Sequence, residues 1–278
     1  MNTAALTEKN NRQLFAFASF GLLLIIFIYR YFSNSLLHQL QHPVLIFPGI
    51  DNTYWLLHYL DIPNYLTRRN AGALAFDVLL FGLILSCIFY SRIRVLPALL
   101  LLCLWTYFIV FNTFSGHHYY QVGFLFAAIP FLARDSKNYD FLYAAVRYLF
   151  CFLYATSGLY KLFRGALFNP EQMQSILMND NASSVFHNPD GWHSDLVLYL
   201  IGHKDVSQGL FIFATLLELA LLAGFFTKKY DGWLLCGLIA FHTGNYLMTG
   251  IPFLEQAVIF LVFIPKYYWC KVGEMVRL

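Results

Sequence analysis

A lysine inside an apolar stretch is the residue of this chain with the greatest potential for chemistry. Lys161 lies near the end of FCFLYATSGLYKL, residues 150–162. A charged group at membrane depth is costly, so an ionisable residue there predicts a functional site. Burial lowers the pKa of a lysine, and the neutral amine can then act as a base near neutral pH. The alternative is a lysine near a helix end whose amine reaches the polar interface, which is the commoner role for a lone lysine.

Two segments carry polar residues at i, i+3, i+4 and i+7, the spacing of one helix face. The first set is Tyr154, Ser157, Gly158 and Lys161. The second set is His242, Asn245, Tyr246 and Thr249. The glycine of the first set leaves room for a ligand or a neighbouring helix. The second set has a simpler alternative role, which is hydrogen bonding between helices.

Further ionisable residues accompany these two stripes. His117 and His118 precede one apolar stretch, and Glu218 lies near the middle of another. The histidines have an alternative as interfacial residues beside Tyr119 and Tyr120. Glu218 has an alternative as a contact between helices, either protonated or held by a Tyr or Ser side chain. Because perturbed ionisable groups cluster at functional sites, we favour a functional cluster.

The elements that position these residues are apolar helices. The 278 residues are 59% hydrophobic, 19% aromatic and only 12% charged, which indicates a polytopic membrane protein surrounded by lipid. The excess of 18 Lys and Arg over 15 Asp and Glu is small. It favours neither a nucleic-acid partner nor an acidic substrate.

We predict an all-α fold, a polytopic transmembrane helical bundle of about eight spans with interfacial helices in the outer loops. The spans are placed at residues 14–32, 71–90, 95–114, 119–132, 141–162, 210–226, 232–248 and 252–265, of which the fourth and eighth are short. Residues 33–70 and 169–207 are too polar to span, so they are expected to lie at the interface. Residues 1–278 are expected to form a single transmembrane domain without a soluble C-terminal domain.

The Lys and Arg residues alternate between the segments that join the spans. Five segments carry them: Lys9 and Arg12; Arg92 and Arg94; Arg134 and Lys137; Lys228 and Lys229; Lys266, Lys271 and Arg277. By the positive-inside rule these segments and both termini are cytoplasmic, and the first span is an anchor rather than a cleaved signal. The exceptions lie in the two long loops: Arg68, Arg69, Arg164 and Lys204. This orientation places the polar cluster in the outer leaflet.

Several familiar routes to catalysis have no support in the sequence. The five cysteines include no C-x-x-C pair, and four of them lie in predicted spans, so neither a thiol relay nor a thiolate metal site is expected. No P-loop, G-x-G-x-x-G, H-E-x-x-H or G-x-S-x-G occurs. No metal is therefore predicted.

Three short segments of the chain resemble a known family. Residues 154–162 (YATSGLYKL), 117–124 (HHYYQVGF) and 241–252 (FHTGNYLMTGIP) are similar to stretches of the transmembrane domain of vitamin K-dependent gamma-carboxylase and its bacterial HTTM relatives. The family's D-W-x-x-G does not follow Leu162, and no counterpart of its large soluble domain is expected. The resemblance therefore supports hydroquinone chemistry better than glutamate carboxylation.

The resemblance implies a role for each matching residue. Lys161 corresponds to the base that deprotonates vitamin K hydroquinone, and His118 to the histidine that orients or activates it. His242 and Asn245 correspond to quinone-site residues, and the Tyr154 and Gly158 stripe is expected to adjoin the reduced quinone. The bacterial relatives imply the cytoplasmic (inner) membrane. Some of them imply instead a non-catalytic membrane component for maturation, export or immunity of a secreted peptide, with that peptide or another protein as partner.

Overall fold

A computed structural model of the protein describes residues 3–40, 52–68, 70–112, 126–250 and 253–275. These residues form helices and turns with no β-strand, so the prediction of an all-α fold is confirmed for the described part. The α-helices are α1 (Thr3–Phe32), α2 (Asn52–Tyr59), α3 (Ile62–Arg68), α4 (Asn70–Tyr90), α5 (Val95–Asn112), α6 (Ser136–Phe163), α7 (Gln172–His187), α8 (Trp192–Gly202), α9 (Lys204–Ala220), α10 (Ala223–Phe226), α11 (Asp231–Thr249), α12 (Gln256–Phe260) and α13 (Lys266–Met275). Short 3-10 turns lie at Leu37–Gln39, Ile129–Leu132, Ala166–Phe168 and Leu261–Phe263.

Five helical segments among the described residues are long and apolar enough to cross a membrane. They are Asn11–Gln39, Ala71–Tyr90, Val95–Asn112, Ser136–Phe163 and Lys204–Phe226. These segments identify an integral membrane protein and agree with the predicted first, second, third, fifth and sixth spans. The predicted seventh span coincides with the 19-residue helix α11. The total of eight spans stays a prediction, since much of the fourth lies outside the described residues and the eighth is broken into short α12 and a 3-10 turn.

The contacts divide the chain into two compact units. Unit 1 consists of residues 1–146, 254–262 and 266–278, and unit 2 of residues 147–253 and 263–265. The division falls within α6, between Val146 and Arg147. The two units are described separately below.

Unit 1 is built around α1, α4 and α5, with α12 and α13 also packed against α1. Buried apolar residues such as Phe20 and Leu80 fill the space between these helices. Arg30 of α1 forms an ion pair with Glu255 and donates from Nη1 to the Tyr107 hydroxyl at 3.1 Å. Both charged side chains are less than one-tenth exposed, so each compensates the buried charge of the other.

Asp135 marks the start of α6, which leads from unit 1 into unit 2. Its Oδ1 accepts the backbone N–H of Asn138 at 2.8 Å, the bond of an N-capping residue. This hydrogen bond lowers the pKa of the Asp135 carboxyl below its ordinary value, because it favours the charged form. Asp135 therefore occupies the N-cap position of α6.

Unit 2 contains the C-terminal part of α6 together with α7, α8, α9 and α11, and these last four helices pack against one another. Its small apolar core contains Met173, Leu177, Leu200 and Phe211. Arg147 is 1% exposed and bonds the carboxylate of Asp231 from Nε at 3.0 Å. Its Nη1 donates to the Gly224 carbonyl at 2.8 Å, so this guanidinium holds the short helix α10 in place. These contacts position α9 and α11 beside α6, where the predicted site residues lie.

Candidate functional site

Lys161 is held by a carboxylate on a neighbouring helix. It lies in the last turn of α6, and its Nζ donates to both carboxylate oxygens of Glu218 at 2.7 Å each. The Lys161 side chain is 27% exposed and that of Glu218 only 4%. The ring centroid of Phe211 lies 5.6 Å from Nζ, which adds a cation–π contact. The lysine is therefore one partner of an ion pair between α6 and α9.

Ser157 gives the buried carboxylate a second donor. It lies one turn before Lys161 on the same face of α6, and its Oγ donates to Glu218 Oε1 at 3.1 Å. A buried carboxylate is stable only when its lone pairs are satisfied, and Lys161 and Ser157 together do this. The suggestion that a serine holds Glu218 is confirmed. Its pairing with Lys161 was not anticipated from the sequence, because the two residues are 57 positions apart.

Gly158 allows the two helices to approach closely. A Cβ atom at this position would lie 3.0 Å from two side-chain atoms of Leu219 and 3.2 Å from the Cβ of Glu218. The glycine therefore faces a neighbouring helix, which is one of the two surroundings expected from the sequence. Its close contact with α9 brings Glu218 within reach of Lys161. A direct contact of Gly158 with a quinone stays a prediction.

Tyr154 and His242 form a second polar pair in unit 2. The Tyr154 hydroxyl shares a hydrogen bond with Nε2 of His242, which joins α6 to α11. Aromatic rings lie beside the pair: the Phe150 ring is tilted against Tyr154 with centroids 4.6 Å apart, and the Phe253 ring is edge-on to His242 at 5.7 Å. The polar residues of the two stripes thus meet across the helices of unit 2.

The remaining predicted site residues are not joined to this cluster in the described part of the chain. Asn245 is half-buried on α11, and its carbonyl accepts the Thr249 hydroxyl at 2.9 Å. No hydrogen bond of the Asn245 side chain to another described residue is found. His117 and His118 lie outside the described residues. The roles of His118 as orienting residue and of Asn245 as quinone ligand therefore stay predictions.

Hydrogen-bonding groups lie at two heights along α6, one at Lys161 and one at Tyr154. Tyr154 and Lys161 are seven residues apart, which is a rise of about 10 Å along α6. One level carries an amine, a hydroxyl and a carboxylate, and the other a phenol and an imidazole. Such groups can bind the two hydroxyls of a flat, apolar hydroquinone, so the residues present fit a reduced quinone in chemical type. They can also exchange protons.

Comparison with protein-family models, with curated proteins and with solved structures finds no match for this chain. The resemblance to the carboxylase-like membrane family thus depends on the three short segments quoted above.

Proposed function

We propose that the protein is a membrane-embedded enzyme that binds a reduced quinone beside α6 and uses Lys161 to accept its proton. The observation that carries the proposal is the Lys161 and Glu218 pair, because an amine and a carboxylate bonded within apolar helices can share a proton. A bound hydroquinone of the vitamin K type would supply a hydroxyl that can donate a proton and a ring for redox chemistry. Its apolar ring suits entry from the bilayer.

The pair can accept a proton from a bound hydroxyl because the ammonium that forms lies beside the oxyanion that the ligand keeps. In water the ion pair of ammonium and carboxylate is strongly favoured. In apolar surroundings the neutral form, an amine beside a carboxylic acid, comes closer in energy because charged groups lose their hydration. In the neutral form the lone pair on Lys161 Nζ can take a proton from a bound hydroxyl, and the adjacent carboxyl keeps its own proton. Ser157 donates to Glu218 throughout.

The other predicted residues position the ligand in this proposal. The Tyr154 and His242 pair provides a second hydrogen-bonding point, two turns of α6 from Lys161. Asn245 lies on the same helix as His242 and offers a further amide group to the ligand. His118 orients the amine, as the family resemblance implies.

We also propose that the protein has about eight spans and both termini in the cytoplasm, and that it belongs to a bacterial inner membrane. The alternation of Lys and Arg between the predicted spans supports this orientation. On the same argument the helices in the two long loops, α2, α3, α7 and α8, lie at the outer interface. Trp192 at the start of α8 is 65% exposed and Phe186 near the end of α7 is 81% exposed, which suits aromatic anchors at an interface.

Replacing Lys161 by arginine tests the enzyme proposal. Purified wild type, Lys161→Arg and Lys161→Ala are placed in lipid nanodiscs with vitamin K hydroquinone in air-saturated buffer, where dissolved oxygen is the oxidant. Consumption of hydroquinone above that in protein-free nanodiscs is followed by chromatography. Both variants should lose consumption by about 100-fold or more. Guanidinium stays charged and alanine has no amine, so neither side chain can serve as the base. Lys228→Arg, at an exposed lysine, is the matched control. Full consumption by Lys161→Arg at equal expression would refute the proposal.

A second function is favoured by the completeness of the ion pair. Both oxygens of Glu218 are bonded by Lys161 at 2.7 Å, which is also the geometry of a clamp between α6 and α9. A protein stabilised in this way suits a non-catalytic membrane component for maturation, export or immunity of a secreted peptide. In that case Lys161→Arg keeps the clamp and the biological activity, and wild type consumes no hydroquinone.

A further inference from the structure

Unit 1 contains a buried carboxylate that binds a histidine. Asp77 lies in the second turn of the candidate span Ala71–Tyr90 and is 2% exposed. It accepts the backbone N–H groups of Leu37 at 3.3 Å and of His38 at 2.9 Å. Its Oδ2 also lies 2.7 Å from Nδ1 of the His38 ring. This carboxylate therefore attaches the turn after α1 to α4 and fixes the orientation of the imidazole.

The bond to Asp77 determines which ring nitrogen of His38 is available to a ligand. Oδ2 of Asp77 lies 2.7 Å from Nδ1 of His38, and in this geometry the carboxylate oxygen accepts and Nδ1 carries the hydrogen. The neutral ring then has its lone pair on Nε2. The His38 side chain is 27% exposed, and within the described part of the chain no hydrogen bond reaches Nε2. In that tautomer the acceptor nitrogen belongs to a partly exposed ring.

The neighbouring ionisable groups have partners of their own. The charge of Arg30 is balanced by Glu255, and the Tyr107 hydroxyl donates to the Ser35 carbonyl at 2.7 Å. The nearest described ring on α1 is that of Tyr31, whose centroid lies 6.4 Å from the His38 ring. The charge of Arg30 is therefore balanced by a carboxylate other than Asp77.

We propose that the dyad is a second proton-accepting site, which takes a neutral, hydroxyl-bearing amphipathic molecule such as a phenol. A neutral imidazole acceptor favours a hydroxyl donor over an anion, because a nearby carboxylate repels negative charge. The turn that carries His38 lies at the end of one candidate span and Asp77 near the start of another, so the site is at the boundary of the apolar region. A molecule with an apolar ring and one hydroxyl fits such a boundary.

Proton transfer at the dyad involves only the ligand hydroxyl, the imidazole of His38 and the carboxylate of Asp77. The ligand hydroxyl donates a hydrogen bond to Nε2. When the proton moves, the ligand O–H bond breaks, an N–H bond forms on Nε2, and the ligand oxygen keeps the electron pair. The resulting imidazolium is stabilised by the Asp77 carboxylate, the role that a buried carboxylate plays behind a catalytic histidine. This site uses neither Lys161 nor Glu218 and is independent of the function proposed for them.

The test is nuclear magnetic resonance of the full chain in nanodiscs with nitrogen-15 histidine. The chain has 9 histidines, and the His38→Asn variant assigns the His38 signals by their loss. Asparagine places an N–H donor where Nδ1 lies, so this variant keeps the bond to Asp77 and the fold. Wild type should show a protonated Nδ1 and a bare Nε2 on His38. Titration with p-cresol should shift the Nε2 signal saturably, whereas toluene, which lacks the hydroxyl, should not.

Each outcome decides the proposal. A bare Nδ1 on His38, no shift with p-cresol, or the same shift with toluene would overturn it. Asp77→Leu, which has no hydrogen-bond acceptor, should remove the preference for the Nδ1 tautomer and weaken the response to p-cresol, and an unchanged tautomer in a folded variant would also contradict the dyad. The His242 signals in the same spectra report on the cluster around Lys161. A response at His38 alone, or at His242 alone, therefore separates this site from the proposed enzyme site.

Discussion

A double-mutant cycle on Lys161 and Glu218 measures the ion pair that the candidate site depends on. Lys161→Met removes the amine but keeps the length of an unbranched side chain. It leaves Glu218, 4% exposed, with Ser157 as its remaining donor in this cluster. Breaking a buried ion pair from one side costs about 3 to 5 kcal/mol, and the 27% exposure of Lys161 lets water or a headgroup replace part of the amine. We therefore expect a loss of about 3 kcal/mol in the free energy of unfolding.

The partner and double variants complete the cycle. Glu218→Gln keeps an oxygen for Ser157 and leaves Lys161 partly hydrated, so its expected cost is about 1 to 2 kcal/mol. The double variant contains no unpaired buried charge and should be more stable than the two single losses together predict, by about 2 kcal/mol. Unfolding by a strong detergent, followed by circular dichroism, provides the free energies.

The control for this cycle is Lys228→Met, at an exposed lysine, which should change stability by less than about 0.5 kcal/mol. Additive losses within about 0.5 kcal/mol would show that Lys161 and Glu218 are not energetically coupled. In that case the reasoning from burial and geometry to a coupled pair would be wrong, and with it the proton-sharing mechanism.

Two further predictions concern packing and topology. Gly158→Ala should lower the free energy of unfolding by about 1 to 3 kcal/mol, because its Cβ would lie 3.0 Å from Leu219. Gly209→Ala, with no atom within 4 Å of its Cβ, should raise it by up to about 1 kcal/mol. Equal thermal stabilities of the two variants would contradict the close approach of α9. A green fluorescent protein fused after Leu278 should fluoresce and alkaline phosphatase fused there should be inactive, because the positive-inside rule places this terminus in the cytoplasm; an active phosphatase would reverse the orientation.

Helix class and helix position follow from local properties of the sequence. An apolar stretch of span length has one stable backbone in lipid, the α-helix, because every backbone group must bond within the segment. The predicted second span therefore agrees with Ala71–Tyr90, and the third, placed at 95–114, agrees closely with Val95–Asn112. The stripe of Tyr154, Ser157 and Lys161 also follows from the helical repeat alone.

The partners of these residues were decided by tertiary structure. Lys161 meets Glu218 over 57 residues, Tyr154 meets His242 over 88, and His38 meets Asp77 over 39. The sequence contained every one of these side chains, and it predicted a polar cluster, but not its pairs. Helical periodicity specifies which residues share a face, whereas the identity of the neighbouring helix and its rotation depend on packing, such as the contact of Gly158 with Leu219. In a membrane this packing depends on small residues and close fit between helices, and the hydrophobic pattern of a single segment does not encode it.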